Sequence, residues 1–396
     1  MRIANSYCHG KITSAIHLCA ILALFLPSCN QQYKVEDHSA KSAVVADTDT
    51  IAVDTTQLLP LIPPSADTSV RSFARLLAGL DTLRGMEWYA KTIRASIERH
   101  EARQMVNVRR WSAQELRAQS QADVIFYPFS GPDALYMLGL FPHAKQYVMI
   151  ASEPAGSFPR FNRLGRDSIK TYLESVIEST REVYSYSYFI TDSMRKNIAD
   201  SIVNGTLPII TLFMAQHGYD ILGYDRVADV SSDSTKQQQL RHVLYFRRDS
   251  ASPVQQLTYI EANLGNARYM GLTPFPQNNV LREYLNTLPR CHSFVKSASY
   301  LMHNAGFSAI RSFVLSKSQS ILQDDTGVPY GMYGSGWSFR FYGEYTRPIR
   351  MFAGRYQADL DSAFLTQAGR HTALPFYYGY LFSRGKQNVF LASRTR

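Results

Sequence analysis

Residues 123–151 read DVIFYPFSGPDALYMLGLFPHAKQYVMIA, and this stretch decides the fold class. Residues 123–127 and 146–151 are apolar runs of strand length, and residues 133–141 between them have the length of a short helix. Strand, helix and strand at this spacing predict a parallel βαβ unit, because two parallel strands need a crossover connection of about a dozen residues.

The rest of the chain extends this unit into a larger sheet. Three segments, 220–227, 242–247 and 256–263, predict successive antiparallel strands, and residues 337–342 alternate aromatic and other side chains as in a strand with one buried face. Further predicted elements are helices at 169–177, 279–288 and 307–316, a strand at 320–323, and a strand at 388–392 that closes the sheet. The predicted fold class is α/β, with a mixed, mostly parallel sheet flanked by helices and with antiparallel strands in the C-terminal half.

The N-terminal residues have the pattern of a secretory signal. Arg2 and Lys11 are followed by a mainly apolar stretch, residues 12–26, that is shorter than the roughly 20 residues of a membrane-spanning helix. The stretch ends in Leu26-Pro27-Ser28-Cys29, which resembles the lipobox of bacterial lipoproteins. That resemblance implies that residues 1–28 are removed and that Cys29 becomes the acylated first residue. Pro27 departs from the usual small or β-branched residue at its position.

Composition divides the mature chain into a tether and a folded part. After Cys29, the residues up to 68 are rich in Ser, Thr, Asp and Ala and predict a disordered tether. Residues 69–396 predict one globular α/β domain, with lobes at 69–230 and 240–396 as the alternative division. The chain of 396 residues carries a formal net charge of +10, and 45% of its residues are hydrophobic, which excludes a disordered or fibrous protein.

Several classes of activity lack their sequence signatures. The chain has no complete motif of a serine hydrolase, a phosphate-binding loop or a zinc protease. Its histidines show no metal-ligand spacing, so neither a metal nor a cofactor is predicted. Nucleic acid is not an expected partner either, because no recognised nucleic-acid-binding motif is present.

Two places combine turns with polar side chains at predicted strand ends. The first contains Ser130 and Asp133 after the first strand and Glu153 after the second, where nucleotide- and adenosylmethionine-binding folds place a ligand turn and a ribose-binding acid. A structural explanation competes, with Gly131 as helix cap and Asp133 in the first helical turn.

The second place is the pair Asp324 and Asp325 in the sequence Leu322-Gln323-Asp324-Asp325-Thr326-Gly327. Adjacent carboxylates at a strand end are suited to act as a base or to bind a ligand, whereas the structural alternative is a turn held by aspartate side chains. The candidate ligand-binding residues are therefore Ser130, Asp133, Glu153, Asp324 and Asp325.

Five segments carry a resemblance to a known group of proteins. They are residues 126–133, Glu153-Pro154-x-Gly156, residues 299–303, residues 322–330 and residues 342–349. Together they resemble a family of uncharacterised bacterial envelope proteins found largely in Bacteroidota. The resemblance implies an envelope location and a single domain, and it implies no mechanism.

Three functions are compatible with these patterns. The first is a lipoprotein, anchored by its acyl chains to a bacterial membrane and expected at the outer membrane, that binds an envelope glycan, lipid or protein partner. The second is an envelope hydrolase or transferase that uses carboxylates at strand ends. The third is a nucleotide- or adenosylmethionine-type fold that has lost its cofactor.

Overall fold

The computed structural model describes residues 62–189, 202–230, 238–366, 373–380 and 387–395. The predicted signal peptide, Cys29 and the tether up to residue 61 lie outside the described residues. The last tether residues are described, and Asp67 forms a β-bridge with Tyr224. The Asp67 N–H donates to the Tyr224 carbonyl at 2.7 Å, and the Tyr224 N–H donates back at 3.1 Å. The described fold therefore begins before residue 69.

One nine-stranded sheet runs through the described residues. Its spatial order is β3-β4-β5-β2-β1-β6-β7-β9-β8. The five central strands, from β5 to β7, are parallel to one another, and antiparallel pairs lie on both sides of them. In chain order the strands are β1 (Val124–Pro128), β2 (Gln146–Ala151), β3 (Asp220–Val230), β4 (Gln238–Arg247), β5 (Gln255–Glu261), β6 (Cys291–Val295), β7 (Ser318–Gln323), β8 (Trp337–Gly343) and β9 (Asn388–Arg394).

Helices cover both faces of this sheet, so β1 and β2 are buried on both sides. Ile125 and Tyr127 of β1 pack into one apolar core, and Val124 and Phe126 pack into the other, as the two-residue period of a strand requires. The described helices are α1 (Val70–Leu77), α2 (Glu87–His100), α3 (Val106–Glu115), α4 (Ala134–Leu140), α5 (Arg166–Tyr186), α6 (Leu207–Gln216), α7 (Asn279–Thr287), α8 (Ser308–Lys317) and α9 (Ala358–Thr366).

The predicted α/β class is confirmed, with one mixed sheet flanked by helices. The βαβ unit is present as β1, α4 and β2, and its two strands pair in parallel from Val124 opposite Gln146. The segments predicted as three antiparallel strands form β3, β4 and β5, and β5 also pairs in parallel with β2. Three details differ from the expectation. The sheet is not mostly parallel, because the described strands form four parallel and four antiparallel pairs. The sequence did not predict β6, and β9 lies between β7 and β8 rather than at the edge of the sheet.

Candidate functional site

The carboxyl ends of the five parallel strands share one edge of the sheet, and the loops at this edge carry all five candidate residues. Ser130 and Asp133 follow β1, Glu153 follows β2, and Asp324 and Asp325 follow β7. In open α/β sheets, ligands bind at this edge where the strand order reverses. That point lies between β1 and β6, because the chain adds β2 on one side of β1 and later returns to add β6 on the other.

An ion pair fills the crevice between β1 and β6. Lys296, the residue after β6, places its Nζ 2.6 Å from Oδ2 of Asp133 and donates to the carbonyl of Ser187 at 2.5 Å. The lysine side chain is 1% exposed, and its Nζ lies 4.4 Å from the ring centre of Tyr136 in a cation–π contact. Burying both charges costs desolvation energy, which their attraction and their further hydrogen bonds offset.

The turn after β1 does not fit an anionic group of a nucleotide or of adenosylmethionine. The prediction had Gly131 as the cap and Asp133 inside the helix, but Asp133 is itself the N-cap of α4 and accepts from the Tyr136 N–H at 3.4 Å. The aspartate oxygen satisfies a free helix N–H, which a glycine has no side chain to do. Its carboxylate therefore occupies the place that an anion would need. Ser130 is also buried, and its hydroxyl donates to the Ile150 carbonyl at 3.4 Å.

Glu153 lies apart from Asp324 and Asp325 at this edge. Its carbonyl accepts from the Tyr259 hydroxyl of β5 at 2.7 Å. Burial raises the pKa of its side chain, and the nearby charge of Glu261 adds to the effect. Because β2 and β7 are three strand spacings apart, Glu153 and Asp324 start from strands separated by about 14 Å.

Asp324 is held by donors from two loops. Its Oδ2 accepts from the Ser297 N–H at 3.0 Å, and its Oδ1 accepts from the N–H and the hydroxyl of Thr326 at 3.0 and 2.5 Å. The side chain is buried, and burial together with the neighbouring charge of Asp325 raises its pKa to about 7. These hydrogen bonds oppose that shift without reversing it.

Asp325 connects β7 to the loop after β6 and to β9. Its Oδ2 accepts from the Tyr300 hydroxyl at 2.5 Å, and its Oδ1 accepts from the side-chain amide of Asn388 at 2.9 Å. The Asp325 N–H donates to the Asn388 oxygen at 2.8 Å, so the two residues exchange a pair of hydrogen bonds. Burial raises the pKa of this carboxyl as well, against the effect of its two donors.

A narrow polar cleft opens beside the two aspartates, and we call it the Asp324 cleft. The free space within it holds little more than one water molecule. Gly379 keeps it open, because a methyl group on this residue would lie 2.8 Å from Oδ2 of Asp324. The cleft is lined by Tyr300, Asp324, Asp325, Thr326, Thr346, Arg347, Pro348, Ile349, Gly379, Tyr380, Gln387 and Asn388.

The loop that supplies Tyr300 has an unusual backbone. Ser297, Ser299 and Tyr300 have positive φ angles of 52°, 52° and 56°, in the left-handed region that residues with a Cβ seldom adopt. Each such residue costs about 1 kcal/mol or more and persists where surrounding contacts fix it. The hydroxyl of Ser297 is buried and has no hydrogen-bond partner within the described residues. Strain and an unsatisfied polar group at one loop are typical of binding sites.

Sequence reasoning placed Asp324 and Asp325 in one site and did not find the residues that surround them. Tyr300 was missed because the strand β6, which precedes its loop, was not predicted. Lys296, which pairs with Asp133 and does not line the cleft, was missed for the same reason. Arg347 and Asn388 reach the cleft from elements that are close to β7 only in three dimensions. The position of Lys296 gave no signal on its own, because a lysine is placed at the functional edge only once a buried strand is assigned just before it.

Searches of protein-family models, of curated proteins and of solved structures find no match to this chain. Among the residues that the structure describes, no three His, Cys, Asp or Glu side chains are grouped to hold a metal ion. In the same part of the chain, none of the helices has the length and apolar character needed to cross a bilayer.

Proposed function

We propose that this protein is a membrane-anchored envelope lipoprotein whose α/β domain binds an envelope component by taking one of its hydroxyl or ammonium groups into the Asp324 cleft. The observation that carries the proposal is the cleft itself, in which buried aspartates, an arginine and tyrosine hydroxyls converge at the functional edge of the sheet. The anchor rests on the sequence pattern that ends in Cys29, which lies outside the described residues.

The chemistry of the cleft favours a ligand that carries hydroxyl or ammonium groups. Asp324 and Asp325 accept hydrogen bonds, whereas Arg347 donates them, so the lining recognises donors and acceptors within a short distance. Sugars and the peptide part of cell-wall fragments carry both kinds of group.

Calorimetric titration of the full chain in detergent tests this proposal, with oligosaccharides and muropeptides as ligands. Asp324→Asn should weaken binding about tenfold, since a hydrogen bond to a charged group contributes about 1.5 kcal/mol or more. Gly379→Ala should also weaken it, because the added methyl group fills the cleft while every charge stays in place. Asp167→Asn is the matched control, because Asp167 is exposed on α5.

Equal affinities of the three variants and the natural chain would exclude the Asp324 cleft as the binding site. The same holds if no member of the panel binds while the chain remains folded.

A hydrolase or transferase acting at the same cleft is the second candidate. It is favoured by the pKa of Asp324, which is raised to about 7 beside a second carboxyl and so suits proton transfer near neutral pH. Glu153 has no part in this candidate because it lies three strands away. Cleavage of a muropeptide or oligosaccharide by the natural chain, lost in Asp324→Asn and retained in Asp167→Asn, would select the enzyme over the binding protein.

We also infer that the parallel strands derive from a doubly wound nucleotide-binding arrangement. Leaving out the inserted strands β3 and β4, the order β5-β2-β1-β6-β7 becomes 3-2-1-4-5, which is the order of that fold. The ion pair of Asp133 and Lys296 stands at the switch point, where such folds bind a cofactor. This supports the third interpretation, a nucleotide- or adenosylmethionine-type fold that keeps the sheet and has lost its cofactor.

A further inference from the structure

A second polar pocket lies at the opposite edge of the sheet from the Asp324 cleft. It opens where α4 leads into β2 and where β4 ends, which is the amino-terminal edge of the parallel strands. The space has room for several water molecules. Its polar lining residues are Glu101, Arg109, Gln216, His217, Tyr219 and Arg248.

Two arginines approach this pocket from different elements. Arg109 projects from α3 and is partly buried, whereas Arg248 follows β4, is exposed, and has its guanidinium carbon 6.0 Å from the ring centre of Tyr219. The pKa of the Arg109 guanidinium is lowered, first by burial and then by the positive charge of Arg248. The two cations therefore repel each other across the pocket, and a bound anion would relieve that repulsion.

One carboxylate offsets part of this charge. Glu101 forms an ion pair with Arg109, with one nitrogen–oxygen distance of 3.3 Å. Glu101 begins a π-helical turn, Glu101–Met105, that joins α2 to α3, and such turns are frequent at functional sites. Burial lowers the pKa of His217 to about 4, so this histidine is neutral at pH 7. The lining of the pocket thus keeps one positive charge in excess.

An unsatisfied donor lies in the same lining. The oxygen of the Gln216 amide accepts from the Tyr184 hydroxyl at 2.8 Å, which fixes the amide, but its buried nitrogen Nε2 has no partner within the described residues. A buried N–H group without an acceptor costs about 1–3 kcal/mol. Gln216 lines the pocket, so an oxyanion that reached this amide would supply the missing acceptor.

We propose that this pocket binds a phosphate group between Arg109 and Arg248, with the Gln216 amide as a further donor. Two guanidinium groups present N–H donors that match phosphate oxygens, and the single positive charge left after the Glu101 ion pair suits a singly charged phosphate group. The shared chemistry is a phosphate monoester or diester, whether free in solution or on a lipid headgroup. The site is independent of the function proposed above, because it lies at the other edge of the sheet.

Calorimetric titration of the full chain with inorganic phosphate at low ionic strength tests the site. Arg248→Gln should weaken phosphate binding about tenfold, and because Arg248 is exposed this change leaves the packing of the core unaltered. Arg109→Lys keeps the positive charge beside Glu101 and removes the guanidinium fork, so it should weaken binding too. Arg110→Gln is the matched control, because Arg110 is exposed on the same helix.

The source of the phosphate is separated by two further probes, glycerol 3-phosphate and vesicles of phosphatidylglycerol in phosphatidylcholine. If Arg248→Gln loses binding to glycerol 3-phosphate, the site is supported and takes the free form. If it loses binding to the vesicles, the site is supported and takes the lipid form. Three results would overturn the phosphate site. They are no phosphate binding, equal phosphate binding in Arg248→Gln and Arg110→Gln, and binding of acetate as tight as that of phosphate. If sugars do not bind while phosphate does, only the proposed function of the Asp324 cleft is rejected and the phosphate site stands.

Discussion

Replacing Lys296 with methionine should lower the free energy of unfolding by about 3–5 kcal/mol. The substitution keeps an unbranched side chain of similar length and removes the positive charge that lies 2.6 Å from Asp133. The Asp133 side chain is only 6% exposed, so solvent cannot replace the lost partner. The Ser187 carbonyl also loses its donor, and the Tyr136 ring loses its cation–π contact. The carboxylate left without a counter-charge dominates the cost.

The double variant Lys296→Met with Asp133→Asn separates charge from packing. Asparagine at position 133 keeps an oxygen to cap α4, and neither buried charge remains. Replacing a whole buried ion pair is often close to neutral, so the double variant should lie within about 2 kcal/mol of the natural chain. The two single changes are therefore expected to be strongly non-additive.

Urea unfolding followed by circular dichroism measures these differences, with Lys91→Met as control. Lys91 is exposed on α2, and its replacement should change stability by about 0.5 kcal/mol or less. A cost below about 1 kcal/mol for Lys296→Met would contradict the role of Lys296 as the counter-charge of Asp133, because the pair would then contribute no more than a surface ion pair. Additive single changes would refute it as well.

Three further outcomes follow from residues elsewhere in the chain. Because the pKa of Asp324 is raised to about 7 in the folded state, that state binds the proton more tightly than the unfolded chain, so stability should fall as pH rises from about 4 to about 7. In Asp324→Asn the free energy of unfolding, measured with urea at several pH values, should fall less over this pH range. An unchanged pH dependence would contradict the raised pKa of Asp324. Gly343→Ala should lower the free energy of unfolding by about 2 kcal/mol or more in the same assay. Gly343 has a φ of 74°, and an added Cβ would lie 1.8 Å from the Gln387 carbonyl oxygen. Full stability of this variant would count against that backbone geometry. Cys29→Ser should abolish incorporation of a labelled fatty acid in cells, whereas Cys19→Ser should not; labelling that survives Cys29→Ser would place the anchor elsewhere.

The sequence predicted best those elements whose partners are close along the chain. β1, α4 and β2 are apolar except for Gln146 at the start of β2, and they are joined by short connections, so their pattern shows both their type and their pairing. β6 was missed because two of its five residues, His292 and Ser293, are polar. Ser293, for instance, is 1% exposed and pairs its hydroxyl with that of Ser318 at 2.7 Å. A buried polar pair of this kind looks like surface in a sequence.

The candidate site was predicted in part, for a related reason. Asp324 and Asp325 were identified because adjacent acids after a strand are visible in the sequence. Asp133 was identified too, but its role as a helix cap paired with Lys296 depends on a contact between residues far apart in the chain. No local pattern shows which loops of a sheet edge meet, since strand order is set by long-range packing.

The position of β9 between β7 and β8 has a consequence for how the chain assembles as it is made. β8 precedes β9 in the chain, yet within the described residues its sheet hydrogen bonds go to β9 alone. During synthesis or export, β8 therefore emerges before the strand that attaches it to the sheet. Its aromatic face stays exposed until β9 has emerged. A chaperone that holds this segment, or a fast final stretch of translation, would reduce its exposure to other chains.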